Sequence, residues 1–230
     1  MEDWSNEKMK EREAGRRTMT DGTSPALDAQ TAALVRVAAA LARGKVPELK
    51  ARFAAARDAQ VPVLWIEELL LQSMLVVGYP LALVAFGAWR GVGGPAPVDG
   101  AEDLAHADWE TWAARGAAVC RAVYGRAYHK LLVNLRALHP ALEDLVLVDA
   151  YGKVIARPGL DLKRRELCTV ATTAVLGTAE QLHSHLRGAL NTGAAGEEIE
   201  AVLTLIEGDL DAEQRRSAHE QWDDVKARKL

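Results

Sequence analysis

Apolar positions recur along this chain with helical rather than alternating spacing. Residues 32–43 are apolar almost all round, which marks a buried helix, whereas 47–58 gathers its apolar side chains on one face. Residues 63–77 are again strongly apolar, and the Gly/Pro-dense segment 91–100 then reads as a loop or linker. Further on, the spacing predicts helices over 107–123 and 127–138, the second ending before His139-Pro140. Tyr151-Gly152 and Arg157-Pro158-Gly159 are turn signals, and helical spacing resumes over 162–176, 179–191 and 196–206. The polar tail from Asp209 suits an exposed helix with a basic end. Residues 1–25 are charged and begin without the apolar run of a secretory signal, so they read as a flexible, solvated arm. Met9 and Met19 leave the translation start open.

The stretch from Leu69 to Phe86 has the length of a short membrane span. Gln72, Ser73, the preceding Glu67-Glu68 pair and the Gly78-Tyr79-Pro80 break all oppose that reading. Two buried helices meeting at a Gly-Tyr-Pro corner fit better, because Pro80 interrupts the backbone hydrogen bonds. A surface this apolar also suggests a subunit interface.

The first and last thirds of the chain look like copies. A shift of 133 positions pairs Leu34 with Leu167, Val37 with Val170, Gly44 with Gly177, Leu49 with Leu182 and Ala56 with Ala189. The same shift brings Ile66-Glu67 onto Ile199-Glu200 and Leu70 onto Leu203 without a gap. A duplicated three-helix unit is expected. The boundaries this implies are an arm over 1–25, a first copy over 26–100, and a second copy with its preceding helices over 101–230.

Composition agrees with the spacing: Ala and Leu dominate an apolar share of 49% while aromatics reach only 5%, which favours an all-α chain over a sandwich or barrel. A net charge of −4 carries no footprint of a nucleic-acid binder. Cys120 and Cys168 lie far apart and form no CxxC, so two reduced thiols in a cytoplasmic protein are expected rather than a disulfide.

Candidate chemistry concentrates in the second copy. Thr178-Ala-Glu-Gln181 matches a capping box, Gly177 and Gly193 are helix stops, and Leu182, Leu186, Ala189 and Leu190 form an apolar stripe with His185 at its edge. On the preceding helix Glu166 borders the stripe of Leu167, Val170, Ala171 and Ala174. A hairpin of the two helices would join Glu166 and His185 in one semi-buried site, a plausible proton-transfer pair. A hydrogen-bonded structural histidine and a solvated surface glutamate are the plainer readings. His183 and His185 point in nearly opposite directions on a helix, so no metal site is expected from them.

Three runs carry a family resemblance: Tyr151-Gly-Lys-Val-Ile-Ala-Arg-Pro-Gly-Leu-Asp161-Leu-Lys-Arg-Arg-Glu-Leu167, Gln181-Leu-His-Ser-His-Leu-Arg-Gly-Ala-Leu-Asn-Thr-Gly193 and Glu197-Glu-Ile-Glu200. They resemble the carboxymuconolactone decarboxylase domain, an all-helical bundle grouped with the alkylhydroperoxidase-D-like proteins. Glu67-Glu68-Leu-Leu-Leu-Gln72 with Gly78-Tyr79-Pro80 is similar to it too, so the likeness covers most of 28–207.

Peroxidase-type members of that family carry a CxxC, a His four residues later and a relay Glu on the preceding helix. His185 and Glu166 match the last two, but Thr178 and Gln181 occupy the cysteine positions. The resemblance therefore implies the decarboxylase type, which needs no cofactor and acts on a small carboxylated lactone of aromatic catabolism. It loses CO₂ and reprotonates the resulting dienolate. On that implication His185 is the acid and Glu166 orients it, while Arg157 and Arg165 bind substrate carboxylate. The plainer readings are that Arg157 caps a turn and Arg165 pairs with Glu166.

The first copy has Ala33 and Arg52 at the positions of Glu166 and His185. It reads as scaffold or partner surface. The implied partners are a small carboxylate or lactone and further copies of the chain, as a trimer or hexamer; no nucleic acid, membrane or metal is implied. Two alternatives remain: a non-catalytic oligomeric scaffold of the same fold, and a thiol-dependent antioxidant using Cys168.

Overall fold

A computed structural model describes residues 26–95 and 108–228 of the chain. The expected arm over 1–25 and the later part of the 91–100 linker lie outside the described residues. Within them, all regular structure is helical. Helices α1 (Ala29–Arg43), α2 (Val46–Asp58) and α3 (Val63–Gly91) form the first copy. The middle segment holds α4 (Trp109–Tyr124), α5 (Tyr128–Leu138) and a π-helix (Leu145–Ile155). The second copy comprises α6 (Leu162–Leu176), α7 (Ala179–Asn191), α8 (Gly196–Ile206) and α9 (Ala212–Ala227).

The duplication extends to caps and part-buried polar contacts. Asp28 caps α1 by accepting from Thr31 N at 2.7 Å, and Asp161 caps α6 by accepting from Arg164 N at 3.0 Å. Both helices end on a left-handed glycine, Gly44 at φ 62° and Gly177 at φ 70°, where a Cβ would be strained. Trp89 Nε1 donates to Glu67 Oε1 at 2.5 Å, and Trp222 Nε1 donates to Glu200 Oε1 at 3.0 Å, 133 positions on. Helices α1 and α6 lie side by side in the same direction. Arg164 Nε donates to Thr31 Oγ1 at 2.9 Å near their starts, and Thr172 Oγ1 donates to Ala38 O at 3.2 Å farther along.

One apolar core runs through both copies, with Leu34, Val37, Leu49, Phe53, Ile66 and Leu70 packed with Leu167, Val170, Leu182, Leu186, Ile199 and Leu203. Neither copy buries its stripe alone. The middle segment contributes a second cluster around Cys120, Val123, Tyr128, Tyr151 and Ile155.

The expected corner at Gly78-Tyr79-Pro80 is found in a refined form, and two other sequence expectations are corrected. The break at Gly78 is present, with φ 76° and ψ 166°, but helix resumes at once, and Pro80 falls in the first turn of the second limb, where it costs no hydrogen bond. The limbs over 63–77 and 79–91 are each too short to cross a bilayer straight. Tyr151-Gly152 is not a turn but lies inside the π-helix. Gly152 is needed there for close approach, since a Cβ would strike the Trp112 carbonyl of α4, just as one on Gly116 would strike the Leu147 carbonyl. Thr178 does not close a capping box: it makes no side-chain cap bond. The linker between α6 and α7 is so short that Thr178 serves the end of α6 instead, its N–H donating to Thr173 O at 3.2 Å.

Candidate functional site

Glu166 sits in the first turns of α6, on the side facing α7 and α4, and is 2% exposed. His185 is in the middle of α7 with 18% of its side chain exposed, and its Nδ1 lies 2.8 Å from Glu166 Oε2. The αL stop at Gly177 turns α7 back along α6, and that hairpin brings the two side chains together. A third residue makes room. A Cβ on Gly188, one turn after His185, would fall on Glu166 Oε2. In the first copy the matching residue is Ala55, and the matching partners are Ala33 and Arg52. With no carboxylate to accommodate, a methyl group is tolerated; Arg52 instead meets Asp209 at 3.4 Å.

The middle segment supplies the rest of the surroundings. The charge of Glu166 acts on Cys120, Tyr124 and Tyr151. Burial first, and then the nearby Glu166, push the Tyr124 hydroxyl up to about 12 and the Cys120 thiol likewise to about 12. Burial holds Tyr151 well above the ordinary phenol value, and it is hydrogen-bonded to Tyr124. Tyr124 and Tyr151 rings meet edge-on at 6.2 Å. All three groups therefore stay protonated at neutral pH. Sequence reasoning missed them because nothing in their local pattern marks a site; only the packing of α4 on α7, with the π-helix against α4, brings them near Glu166.

Arg157 and Arg165 are not at this pair. Arg165 is fully buried and donates to Glu68 Oε2 at 2.8 Å, Leu160 O at 3.0 Å, Arg157 O at 3.1 Å and Gln72 Oε1 at 3.3 Å. Arg157 Nε donates to the same Glu68 carboxylate at 3.1 and 3.3 Å. Gln72 Nε2 completes the network by donating to Thr169 Oγ1 at 2.8 Å. Neighbouring positions on a helix point about 100° apart, so Arg165 faces α3 while Glu166 faces α7. Both guanidinium groups thus meet Glu68 rather than the Glu166–His185 pair, joining α3 to α6 and to the loop before it. Neither capping of a turn by Arg157 nor pairing of Arg165 with Glu166 describes them.

A cleft of about 270 Å³ opens beside Tyr124, between α4, α5 and α7. Its walls include Val123, Lys130, Asn134, Ser184, Arg187 and Asn191. Asn191 Nδ2 donates to Val123 O at 2.7 Å, pinning α7 to the end of α4. The histidines of the His183-Ser-His185 run diverge: His183 faces this cleft, 3.8 Å from Asp224, while His185 meets Glu166. Among the described residues, no group of three His, Cys, Asp or Glu side chains is arranged to hold a metal ion.

Cys168 is 1% exposed, and burial pushes its thiol up to about 12. Neither described cysteine forms a disulfide. A thiol so placed supplies almost no thiolate at neutral pH, which argues against redox chemistry at Cys168.

Comparison with known proteins adds two findings. The model of the carboxymuconolactone decarboxylase family matches residues 13–91 and 146–223, one segment on each copy. The 4-carboxymuconolactone decarboxylase of Acinetobacter baylyi is 31% identical over 75 residues, which cover 33% of this chain and 56% of that protein. The chain thus spans little more than half of that relative's length.

Proposed function

Because this chain belongs to the carboxymuconolactone decarboxylase family, we propose that it is a cofactor-free, decarboxylase-like enzyme acting on a small carboxylated lactone. The observation that carries this reading is the 2.8 Å contact between His185 Nδ1 and Glu166 Oε2, kept open by Gly188. A carboxylate that accepts from Nδ1–H fixes the imidazole tautomer and leaves Nε2 to exchange a proton with substrate. The substrate carboxylate leaves as CO₂, and its bonding electron pair is delocalised into a dienolate. Protonated His185 then delivers a proton from Nε2 to carbon, forming the C–H bond and returning to the neutral imidazole. Tyr124, which stays protonated and lies beside Glu166, is suited to donate to the developing enolate oxygen.

The fused first copy, lacking this pair, acts as scaffold. Leu75, Tyr79 and Leu83 are 42%, 67% and 65% exposed on α3, an apolar face that supports self-association as a trimer or hexamer.

Turnover of 4-carboxymuconolactone, followed by CO₂ release, tests the proposal. The parent protein is expected to be active, with His185→Ala and Glu166→Ala both reduced by about 100-fold or more, the usual scale of a general acid. Full activity in His185→Ala removes the assigned acid; no turnover by the parent removes the substrate class.

A further inference from the structure

We propose that the cleft between α4, α5 and α7 is an anion subsite that holds a carboxylate of the substrate, at a place apart from Arg157 and Arg165, which meet Glu68. Among the described residues the cleft is lined by Lys130, Arg187, Arg228 and His183 and by no Asp or Glu. Arg228 and His183 both face Asp224 at the rim, at 2.7 and 3.8 Å. Arg187 is half-buried, and neither it nor Lys130 meets a carboxylate among the described residues. By contrast, Arg43, Arg52, Arg90, Arg157, Arg164 and Arg165 each meet one. Half-buried Arg187 and exposed Lys130 line the same concave wall, and a small anion there relieves the positive potential they create. The guanidinium fork of Arg187 matches a carboxylate geometrically, and Asn134 adds an amide to the same wall.

Position links the cleft to the chemistry. Tyr124 belongs to the cleft wall and also feels Glu166, and Val123 beside it would touch a Cβ on Gly188 at 3.0 Å. Ser184 of the wall immediately precedes His185. The cleft is therefore one residue layer from the Glu166–His185 pair. It is also specific to the second copy, because Ala54 stands where that copy has Arg187. A volume near the lower end of ligand pockets suits a small multiply charged acid rather than a long chain. The assignment of a substrate carboxylate rests on the proposed function, but the anion site itself can be tested apart from turnover.

Calorimetric titration of the full-length protein with adipate, a stable six-carbon dicarboxylate, makes that test, with hexane-1,6-diol as the uncharged control. Adipate is expected to bind saturably and more weakly as salt rises, while the diol shows no binding. Arg187→Ala is expected to weaken adipate about tenfold or more, the scale of one charged hydrogen-bonding contact, and Arg187→Lys to retain part of the affinity. Thermal melting checks that these variants stay folded. His185→Ala is expected to keep parent-like adipate affinity. Absence of adipate binding by the parent, or parent-like affinity in folded Arg187→Ala, overturns the subsite whatever His185→Ala does to turnover. Adipate binding lost with Arg187 while His185→Ala stays fully active leaves the subsite standing and removes the proposed chemistry instead.

Discussion

Substituting Glu68 by Gln separates a scaffolding role for Arg157 and Arg165 from a ligand-binding one. The Glu68 side chain is 2% exposed and receives Arg165 Nη2 at 2.8 Å and Arg157 Nε at 3.1 Å. Gln keeps the shape and one acceptor oxygen but removes the charge. Two guanidinium groups, one of them wholly shielded from water, then lose their counter-ion. Breaking a buried pair from one side costs about 3–5 kcal/mol, mostly the penalty for the stranded charge. At about 2–4 °C per kcal/mol for a protein of this size, the melting midpoint is expected to fall by roughly 6–20 °C. Removing the wholly buried pair together, as Glu68→Met with Arg165→Met, is expected to cost less than the single change, because only the less deeply buried Arg157 is then left without its counter-ion. Differential scanning calorimetry reads the midpoints, and adipate titration reads ligand affinity in the same samples. A Glu68→Gln protein that melts within about 2 °C of the parent and binds adipate more tightly refutes the reasoning: the arginines would then have been released toward a ligand.

Gly188→Ala places a methyl group on Glu166 Oε2, so activity is expected to drop together with the loss of the His185 contact. A stability cost of about 1–3 kcal/mol is expected as well, and unchanged CO₂ release would contradict the role given to Gly188. Tyr124, Cys120 and Cys168 are each raised to about 12, from ordinary values of 10.0, 9.0 and 9.0. Their neutral forms are favoured by folding, so this stabilisation is complete below pH 9.0 and is lost as pH climbs toward about 12. Urea midpoints measured from pH 8 to 11 are expected to decline, less steeply in Cys120→Ala relative to its own midpoint at pH 8; a flat parent profile would contradict these shifts. Ellman's reagent is expected to leave both buried cysteines unmodified in the native protein at pH 8 and to titrate both in denaturant. Asp161→Ala removes the cap on Arg164 N and an ion pair with Arg164 at its exposed edge. A loss of about 1 kcal/mol in denaturant titration is expected.

Local signals were enough for the helices of both copies. The apolar spacing and the stop at Gly177 located them, and the caps at Asp28 and Asp161 and the stop at Gly44 obey the same short-range rules. The shift of 133 positions also foretold the duplicated architecture, since similar sequences bury similar stripes, and the structure adds the paired Trp–Glu bonds. Where a signal had two structural uses, reading failed. Gly152 looks like a turn residue, but its missing side chain serves a helix crossing. Thr178 looks like an N-cap, but the short linker commits it to the preceding helix.

The site divides along the same line. Glu166 and His185 lie 19 residues apart on consecutive helices, so helical periodicity and one tight turn suffice to foresee their contact. Arg157 and Arg165 were legible as cations, yet their partner Glu68 lies 97 residues from Arg165. Charge is written in the sequence, but its compensation is a property of packing, and no spacing rule distinguishes a buried paired guanidinium from a free one. The same holds for Arg187, Tyr124 and Cys120, whose surroundings form only when α4 packs on α7 with the π-helix against it. The sequence by itself determined the helical periodicity, the repeat and the nearby Glu166–His185 contact, because these depend on short-range geometry. Tertiary structure decided which charges are neutralised inside and which face the cleft, because that depends on contacts between segments far apart in the chain.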